Sequence, residues 1–276
     1  MLITGPPGSG KELVASALHE LSGRLGQFVV LNLAGRQNDA MLMSDLFGHL
    51  PGAFTGAVRE RPGAFTRAAN GTLFLDEIGD LPLESQGLLL RAIEARAYAP
   101  LGSTRESTAS ARLVFATNAD LAARVKAGAF RQDLLSRIET LTIRTPGLEA
   151  RRSDIPAIAL RFAQAKHVMI AGDALEWLER REHVANARSL RNGIFRVAEL
   201  TDRAVLTVRD FVADAEESGE LIDEPDPLES FDAAWRRRRL EAVEAAVAKH
   251  AGNESAAAAA LGLNRSSLRR MRAKRG

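Results

Sequence analysis

A glycine-rich run near the start of the sequence has the composition and spacing of a phosphate-binding loop. The run is Gly5-Pro6-Pro7-Gly8-Ser9-Gly10-Lys11-Glu12-Leu13, and four residues separate its first glycine from Gly10-Lys11. Glycines let backbone N–H groups converge on phosphates, the helix that follows adds its positive N-terminal end, and Lys11 supplies a full charge. We therefore expect residues 5–13 to bind a nucleotide, although Glu12 stands where a metal-ligating Ser or Thr is usual.

Two adjacent carboxylates are expected to supply the hydrolytic half of the same site. Thr72-Leu73-Phe74-Leu75 is an apolar, β-prone run that ends in Asp76-Glu77. A buried strand that delivers carboxylates at its C-terminal end suits ATP hydrolysis, with Asp76 holding Mg²⁺ and Glu77 orienting and deprotonating the attacking water. The alternative is an ordinary strand with a polar end, which the distance from the phosphate loop makes the weaker interpretation.

Further polar residues are candidates to complete this chemistry. Leu113 to Asn118 is another apolar run, and its end, Thr117-Asn118, suits a γ-phosphate sensor beside the carboxylate strand. Arg131 and Arg137 follow a predicted helix break at Gly128. Phosphoryl transfer gains from an arginine that reaches the γ-phosphate, often from a neighbouring subunit. Each arginine taken alone is also typical of a charged surface.

A six-residue loop between these two halves points to a protein partner. In Gly52-Ala53-Phe54-Thr55-Gly56-Ala57, two glycines flank an aromatic ring and a hydroxyl. The backbone is therefore free to bend while Phe54 and Thr55 are held out at a tip. We interpret the hexapeptide as a contact loop driven by ATP. The alternative is a bland surface turn, although such turns rarely carry a phenylalanine at the apex.

Composition limits the class of protein. The chain has 276 residues, 46% of them hydrophobic and 26% charged, which is typical of globular proteins and allows one large or two modest domains. The absence of cysteine excludes disulfides and thiolate metal sites. No apolar run approaches the roughly 20 residues of a membrane span, and the start of the sequence has no signal-peptide pattern. We therefore expect a cytoplasmic protein.

The second half of the chain is predicted to be helical and to end in a DNA-binding unit. Apolar spacing over residues 149–212 indicates the amphipathic helices of a small lid, and residues 213–230 have the acidic composition of a linker. Residues 231–276 show helix-turn-helix spacing, and their basic end suggests double-stranded DNA as a partner. A helical hairpin with a solvated basic face is the alternative. The residues expected at DNA phosphates or base edges are Asn264, Arg265, Ser266, Ser267, Arg269 and Arg270.

Together these motifs resemble those of the AAA+ ATPases that activate bacterial sigma-54 RNA polymerase, also called enhancer-binding proteins. The hexapeptide is identical to that family's signature loop, and Leu46-Phe47-Gly48-His49, residues 71–79 and residues 116–118 also match its pattern. The similarity covers residue 2 to about residue 210, and from about residue 232 the chain resembles a Fis-type helix-turn-helix domain. It implies an α/β nucleotide-binding subdomain in residues 1–148, with a parallel sheet flanked by helices, followed by the helical lid, the linker and an all-α DNA-binding domain.

The resemblance also implies roles for single residues. Phe54 and Thr55 would touch the sigma factor when ATP chemistry raises the loop. Asn32 would pair with Glu77 and report the state of the γ-phosphate. Glu12 agrees with the family's usage after the lysine. The implied activity is ATP hydrolysis that remodels the sigma-54 RNA polymerase holoenzyme while the protein is bound to an enhancer-type DNA site.

Contacts between subunits and with the lid are implied in the same way. Arg131 and Arg137 match the positions of fingers that act on a neighbouring subunit, which implies a homo-oligomeric ring. Arg188 matches the lid arginine that contacts nucleotide in cis. The segment before it, His183-Val184-Ala185-Asn186, departs from the Trp-Pro-Gly-Asn with which this motif usually begins.

The start of the sequence supports a second hypothesis. The family pattern has a segment before the phosphate loop that helps to enclose the adenine, whereas this chain begins within the first strand. The alternative to an activator is therefore a truncated, non-hydrolysing DNA-binding regulator of the same family. An AAA+ remodeller of other proteins is a third hypothesis, and both the hexapeptide and the basic C-terminal end count against it.

Overall fold

The structure, a computed structural model, describes residues 1–35, 39–201, 203–217, 249, 253 and 254. The chain divides into two compact units, Met1–Val208 and Arg209–Gly276. Nearly all described residues belong to the first unit. The predicted helix-turn-helix residues 264–270 and residues 218–230 of the predicted linker lie outside the described part of the chain.

Short strands alternate with helices along the first unit. Within the described residues the strands are β1 (Leu2–Thr4), β2 (Phe28–Asn32), β3 (Gly48–His49), β4 (Arg61–Pro62), β5 (Thr72–Asp76), β6 (Ala97–Tyr98), β7 (Ser107–Thr108), β8 (Arg112–Thr117), β9 (Thr142–Arg144), β10 (Met169–Ile170) and β11 (Val205–Leu206). The α-helices there are α1 (Lys11–Leu21), α2 (Asp39–Phe47), α3 (Ala64–Arg67), α4 (Leu83–Ala95), α5 (Leu121–Lys126), α6 (Gln132–Ile138), α7 (Ile155–Ala165), α8 (Gly172–Arg180), α9 (Ala187–Leu200) and α10 (Val208–Glu217). Two 3-10 helices span Ile78–Asp80 and Leu148–Asp154.

A parallel sheet organises the first unit. Its strand order in the described residues is β2-β5-β8-β1-β9, and every pairing is parallel. Parallel strands end at a common edge, so the loops that follow β1, β5 and β8 are brought together although they are far apart in sequence. The expected α/β class and the expected strands of the nucleotide site are confirmed.

The interior strand β5, which lies between β2 and β8, is buried on both faces of the sheet. Leu73 and Leu75 belong to the larger apolar cluster, which includes residues of α2 and α4. Phe74 points to the opposite face, where it packs with Ile3 and Val114 and is 0% exposed. This alternation follows from the two-residue period of a strand, and burial on both faces explains the continuous apolar run.

Helices α7, α8 and α9 pack together in the region where the apolar spacing predicts a small lid, and this group of helices is called the lid below. Leu190, Ile194 and Val197 are the buried residues of α9, at the spacing of one helical face. The structure differs from the sequence interpretation where the acidic linker was expected to begin. Helix α10 continues through position 213, the expected start of the linker, because its apolar stripe of Val208, Phe211, Val212 and Ala215 extends past that position.

No helix in the described parts of the chain is both long and apolar enough to cross a membrane.

The burial of Phe74 predicts a large loss of stability when its ring is removed. We expect Phe74→Ala to lower the free energy of unfolding by about 3–5 kcal/mol, because it leaves a cavity in a fully buried layer. Leu25→Ala is the control, since Leu25 is 100% exposed. Urea unfolding of both variants measures the effect, and equal midpoints for the two would contradict the described packing.

Candidate functional site

The phosphate-loop residues lie at the carboxyl edge of the sheet, between β1 and α1. Gly8 and Gly10 have φ angles of +71° and +98°, which favour glycine because a Cβ atom would strain the backbone there. Gly10 caps the N-terminus of α1, and Lys11 is the first residue of that helix. The loop thus combines a tight backbone turn with the positive end of a helix, as the sequence predicted.

The loop rests on the ends of the neighbouring strands. The Gly5 N–H donates to the carbonyl oxygen of Thr117 at 3.3 Å, and the Ser9 and Thr145 hydroxyls are 2.7 Å apart. Thr145 also donates to the carbonyl oxygen of Thr4 at 3.1 Å. A Cβ atom on Gly5 would lie 2.1 Å from the Thr145 hydroxyl, so only glycine fits at this contact. Sequence analysis missed Thr145, because no local motif marks a hydroxyl that acts across the sheet.

Lys11 brings a buried positive charge to the centre of the site. Its side chain is 7% exposed, and its Nζ donates to the carbonyl oxygens of Gly5 at 3.0 Å and Pro6 at 3.4 Å. The same atom lies 3.9 Å from Oε1 of Glu77. The two charged residues expected to act on the nucleotide are therefore neighbours, although 65 positions separate them in the sequence.

Asp76 ends β5 and Glu77 follows it directly, and the backbone of Glu77 is unusual. Glu77 has φ 55° and ψ 49°, a left-handed conformation that is uncommon for a residue other than glycine. Its N–H donates to Oδ1 of Asp76 at 3.1 Å, and its Oε2 accepts from the backbone N–H of Asn118 at 3.2 Å. Glu77 is thus held between the phosphate loop and the end of β8, where the sequence predicted a phosphate sensor.

Asn32 and Thr117 occupy the flanking positions. Asn32 lies opposite Asp76 in the register of β2 and β5, and its Oδ1 accepts from the N–H of Ala34 at 2.8 Å. Thr117 is buried, and its hydroxyl accepts from the N–H of Ala119 at 3.0 Å. The pairing of Asn32 with Glu77 stays a prediction, whereas its place beside the carboxylates is what that prediction requires.

The acidic groups fit a magnesium ion that arrives with phosphates. In the described residues no three His, Asp or Glu side chains cluster as a metal site. Mg²⁺ is commonly held by one or two carboxylates together with nucleotide phosphates and water, rather than by a complete protein cage. Asp76 is half-buried at the end of β5 and directly precedes Glu77, which lies 3.9 Å from Lys11, so it is the residue that would hold the ion.

Arg131 and Arg137 lie at the two ends of the short helix α6. Arg131 precedes the helix, and its guanidinium donates twice to the carboxylate of Asp133, at 3.0 and 2.7 Å. This hydrogen bond raises the pKa of Arg131 above its ordinary value. Arg137 is exposed in the last turn. Both side chains face solvent, as residues that act on a neighbouring subunit must.

Gln86 holds the turn that carries Arg131, and sequence analysis missed it. The Gln86 side chain is fully buried, and its amide nitrogen donates to the carbonyl oxygens of Leu81 at 2.7 Å and Ala129 at 3.2 Å. Its amide oxygen accepts from the N–H of Arg131 at 2.8 Å. A glutamine inside the apolar face of α4 was the available signal, because a buried amide needs partners.

The hexapeptide 52–57 is carried by the hairpin of β3 and β4. Its backbone closes through a hydrogen bond from the Gly52 N–H to the carbonyl oxygen of Ala57 at 2.8 Å, and both glycines have positive φ, +81° and +99°. Thr55 is exposed, as expected. Phe54 differs from the expectation of a ring held out at a tip. It is half-buried, with its ring edge-on to His49 at a centroid distance of 5.0 Å.

His49 is itself fixed, which explains the position of the ring. It is 8% exposed, and its Nδ1 lies 2.6 Å from the Ser44 hydroxyl in α2. Its backbone also bridges to Leu101, in the loop between β6 and β7. Phe54 therefore packs on a histidine that is held by its own contacts to Ser44 and Leu101. The glycine pattern of the hexapeptide alone does not reveal this contact.

The lid reaches the phosphate loop through the N-terminus of α9. The N–H of Ala187 donates to the carbonyl oxygen of Gly8 at 3.2 Å, and a Cβ atom on Gly8 would lie 3.1 Å from the Cβ of Arg188. Arg188 is exposed and its Cβ lies beside Gly8, whereas its contact with nucleotide stays a prediction. A cavity of about 440 Å³ opens next to this contact; its lining includes Pro6, Leu148, Ile155, Val184 and Asn186.

A glycine-rich anion site and an acidic strand end at one edge of a parallel sheet, next to a helical lid, define an AAA+ ATPase-type domain. The model of the Sigma-54 interaction domain matches residues 1–144. The chain therefore belongs to the sigma-54 interaction domain family, and the resemblance to sigma-54-dependent activators is confirmed.

Individual relatives agree with this assignment. The chain is 40% identical to the transcriptional regulatory protein ZraR of Salmonella typhimurium strain LT2, over 97% of this chain and 62% of that protein. It is 35% identical to the DNA-binding transcriptional regulator NtrC of Azospirillum brasilense, over 97% of this chain and 63% of that protein. The structure of NtrX from Brucella abortus in complex with ATP aligns with a TM-score of 0.68 and 30% identity, over 98% of this chain and 62% of NtrX. The chain thus spans about three fifths of the length of these relatives.

Proposed function

We propose that this chain is the ATP-driven part of a transcriptional activator that remodels the sigma-54 RNA polymerase holoenzyme. The observation that carries the proposal is the meeting of Lys11, Glu77 and the end of β8 at one edge of the sheet. Residues 5–13 would bind the phosphates of ATP, and the cavity beside the lid would accept the base. Asp76 would hold the Mg²⁺ that offsets phosphate charge, and Glu77 would orient the attacking water.

The hexapeptide is the part of the molecule through which the chemistry would act. It follows α2 and β3, and Phe47 at the end of α2 stacks on Phe65 with ring centroids 5.3 Å apart. A small shift of this packed layer would move the hairpin as a unit, because close-packed side chains transmit displacement. Phe54 would then leave His49 and, together with Thr55, contact the sigma factor.

Binding of upstream DNA and assembly into a homo-oligomeric ring complete the proposal. The name of the NtrC relative describes a DNA-binding regulator, and residues 264–270 carry the arginines proposed to contact an enhancer-type site. The exposed Arg131 and Arg137 are proposed to reach the nucleotide of a neighbouring subunit. In this proposal the chain works in the cytoplasm.

Two substitutions should separate nucleotide binding from hydrolysis. Lys11→Ala removes the phosphate-facing charge, so we expect ATP affinity to fall by about tenfold to a hundredfold. Glu77→Gln keeps the shape but loses the base, so we expect near-normal affinity and a turnover lower by about a hundredfold or more. Phosphate release and binding of a fluorescent ATP analogue measure the two effects, with Glu94→Gln, an exposed change on α4, as the control. Ordinary turnover in both variants would refute the assigned site.

The contact loop should be separable from the ATPase site. We expect Thr55→Ala to abolish capture of sigma-54 and promoter opening, while ATP turnover without sigma factor continues, because Thr55 is exposed on the hexapeptide and is not one of the residues proposed to bind or hydrolyse ATP. Co-migration with purified sigma-54 in the presence of a transition-state analogue measures capture. Thr108→Ala, an exposed change on β7, is the matched control. Intact promoter opening by Thr55→Ala would count against the role of the loop.

A mixing experiment tests whether the active site is shared between subunits. Glu77→Gln and Arg137→Ala chains should each be inactive alone. Mixed together they should regain part of the turnover, because some junctions then pair an intact Glu77 with an intact Arg137 of the neighbour. A mixture of Glu77→Gln with Lys11→Ala should regain none if Lys11 and Glu77 serve the same nucleotide. Failure of the first mixture, with assembly verified by light scattering, would place Arg137 outside the site.

A further inference from the structure

Asn186, immediately before α9, has a backbone conformation that needs an explanation. Its φ is 53° and its ψ −135°, in a region that residues with a Cβ atom rarely adopt. The residue is only 8% exposed. Such a conformation persists only when the surrounding structure enforces it. The contacts of the Asn186 side chain therefore indicate why the backbone adopts this conformation.

Both ends of the Asn186 side-chain amide are used, and they join two different segments. The Nδ2 atom donates to the carbonyl oxygen of Pro7 in the phosphate loop at 2.9 Å. The Oδ1 atom accepts from the N–H of Leu148 at 2.7 Å. A Cβ atom on Gly147 would lie 2.7 Å from Oδ1, so the preceding glycine leaves room for this bond. One amide thus connects the loop, the segment after β9 and the start of α9.

Neighbouring contacts extend this connection along the loop. The carbonyl oxygen of Gly8 accepts from the N–H of Ala187 at 3.2 Å, and that of Ser9 accepts from Nη2 of Arg151 at 2.9 Å. Three successive carbonyls, those of Pro7, Gly8 and Ser9, are therefore held by groups from residues 149 onward. The side-chain amide of Asn186 supplies the first of these bonds.

Holding a carbonyl fixes the opposite side of the same peptide group. In a trans peptide the C=O and the following N–H point in opposite directions, so outward carbonyls of Pro7 and Ser9 turn the N–H groups of Gly8 and Gly10 towards the interior of the loop. The N–H of Ser9 donates to the carbonyl oxygen of Pro6 at 3.2 Å, a bond that a bound anion would have to replace. An anion that binds those N–H groups would in turn polarise the peptides and strengthen the outer hydrogen bonds. The loop and the lid would then favour each other's bound arrangement, and this coupling is reciprocal.

We propose that Asn186 is a positioning residue that orients the phosphate loop for ATP and relays nucleotide binding to α9 through its bond to Pro7. The proposal rests on the proposed function, because it requires that the loop bind nucleotide. It is distinct from the role of Arg188, which would contact the nucleotide directly. Asn186 acts only through the peptide groups of the loop.

The decisive variant is Asn186→Asp in the full chain. It keeps the size of the side chain and an oxygen acceptor for Leu148, but it replaces the donor to Pro7 with a second oxygen. We expect ATP affinity to fall by about tenfold or more, and the protection of residues 187–200 from hydrogen exchange on adding ATP to be lost. In the nucleotide-free protein, residues 5–10 should exchange faster than in the wild type.

Two further variants make the test specific. Asn186→Gly relieves the backbone conformation and removes both side-chain bonds, so it should fold yet show the same losses. Asn192→Asp makes the identical chemical change at an exposed position of α9 and should match the wild type in every measurement. Melting of the nucleotide-free chains separates loss of stability from loss of coupling.

The outcomes also separate this proposal from the proposed function. If Asn186→Asp and Asn186→Gly only lower the melting temperature, and keep wild-type ATP affinity and lid protection, the positioning role is overturned. If the wild-type chain binds no ATP, the proposed function fails. The exchange of residues 5–10 without nucleotide still tests the bond to Pro7, and equal rates in wild type and Asn186→Asp would refute it.

Discussion

A phosphate loop holds an anion only while its peptide N–H groups point inward, which requires donors for the carbonyl oxygens that face outward. In this chain the lid side supplies those donors, and the ends of the neighbouring strands support the rest of the loop. The arrangement has an energetic cost. The Nε of Arg151 is buried without a hydrogen-bond partner among the described residues, while its Nη2 serves Ser9. The Nε of Arg151, unpaired within the described part of the chain, thus lowers the stability of the fold at the residue whose Nη2 orients the loop.

The parallel order of the sheet explains why the charged groups can act together. Strands β5 and β8 deliver Glu77 and Asn118 beside the loop that follows β1, so the distance between Lys11 and Glu77 is set by the spacing of strands. The left-handed backbone of Glu77 turns its side chain away from the strand direction, towards the backbone of Asn118. The strained backbone of Glu77 is consistent with the proposed catalytic role, because strained residues cluster at sites where a side chain must be held in one orientation.

The sequence predicted the parts of this structure that local patterns encode. Apolar runs that end in polar residues identified β5 and β8, and glycine spacing identified the loop. Contacts that join distant segments were not predictable, because no local pattern specifies a partner. The support of Ser9 by Thr145 is one example, and the two bonds of the Asn186 amide are another. The helical start of the predicted linker was not recognised, because the acidic residues from Asp214 on dominate the composition there and obscure the apolar spacing of α10.

The packing of Phe54 against His49 has a consequence for the proposed movement of the hairpin of β3 and β4. A fully exposed aromatic side chain promotes nonspecific association. Here part of the Phe54 ring packs against His49, whose Nδ1 lies within hydrogen-bonding distance of the Ser44 hydroxyl. Movement of the Phe54 ring away from His49 would expose apolar area to water, so this movement would cost free energy. In the proposed function this cost would favour the return of Phe54 to His49 unless another surface covered the ring in place of the imidazole.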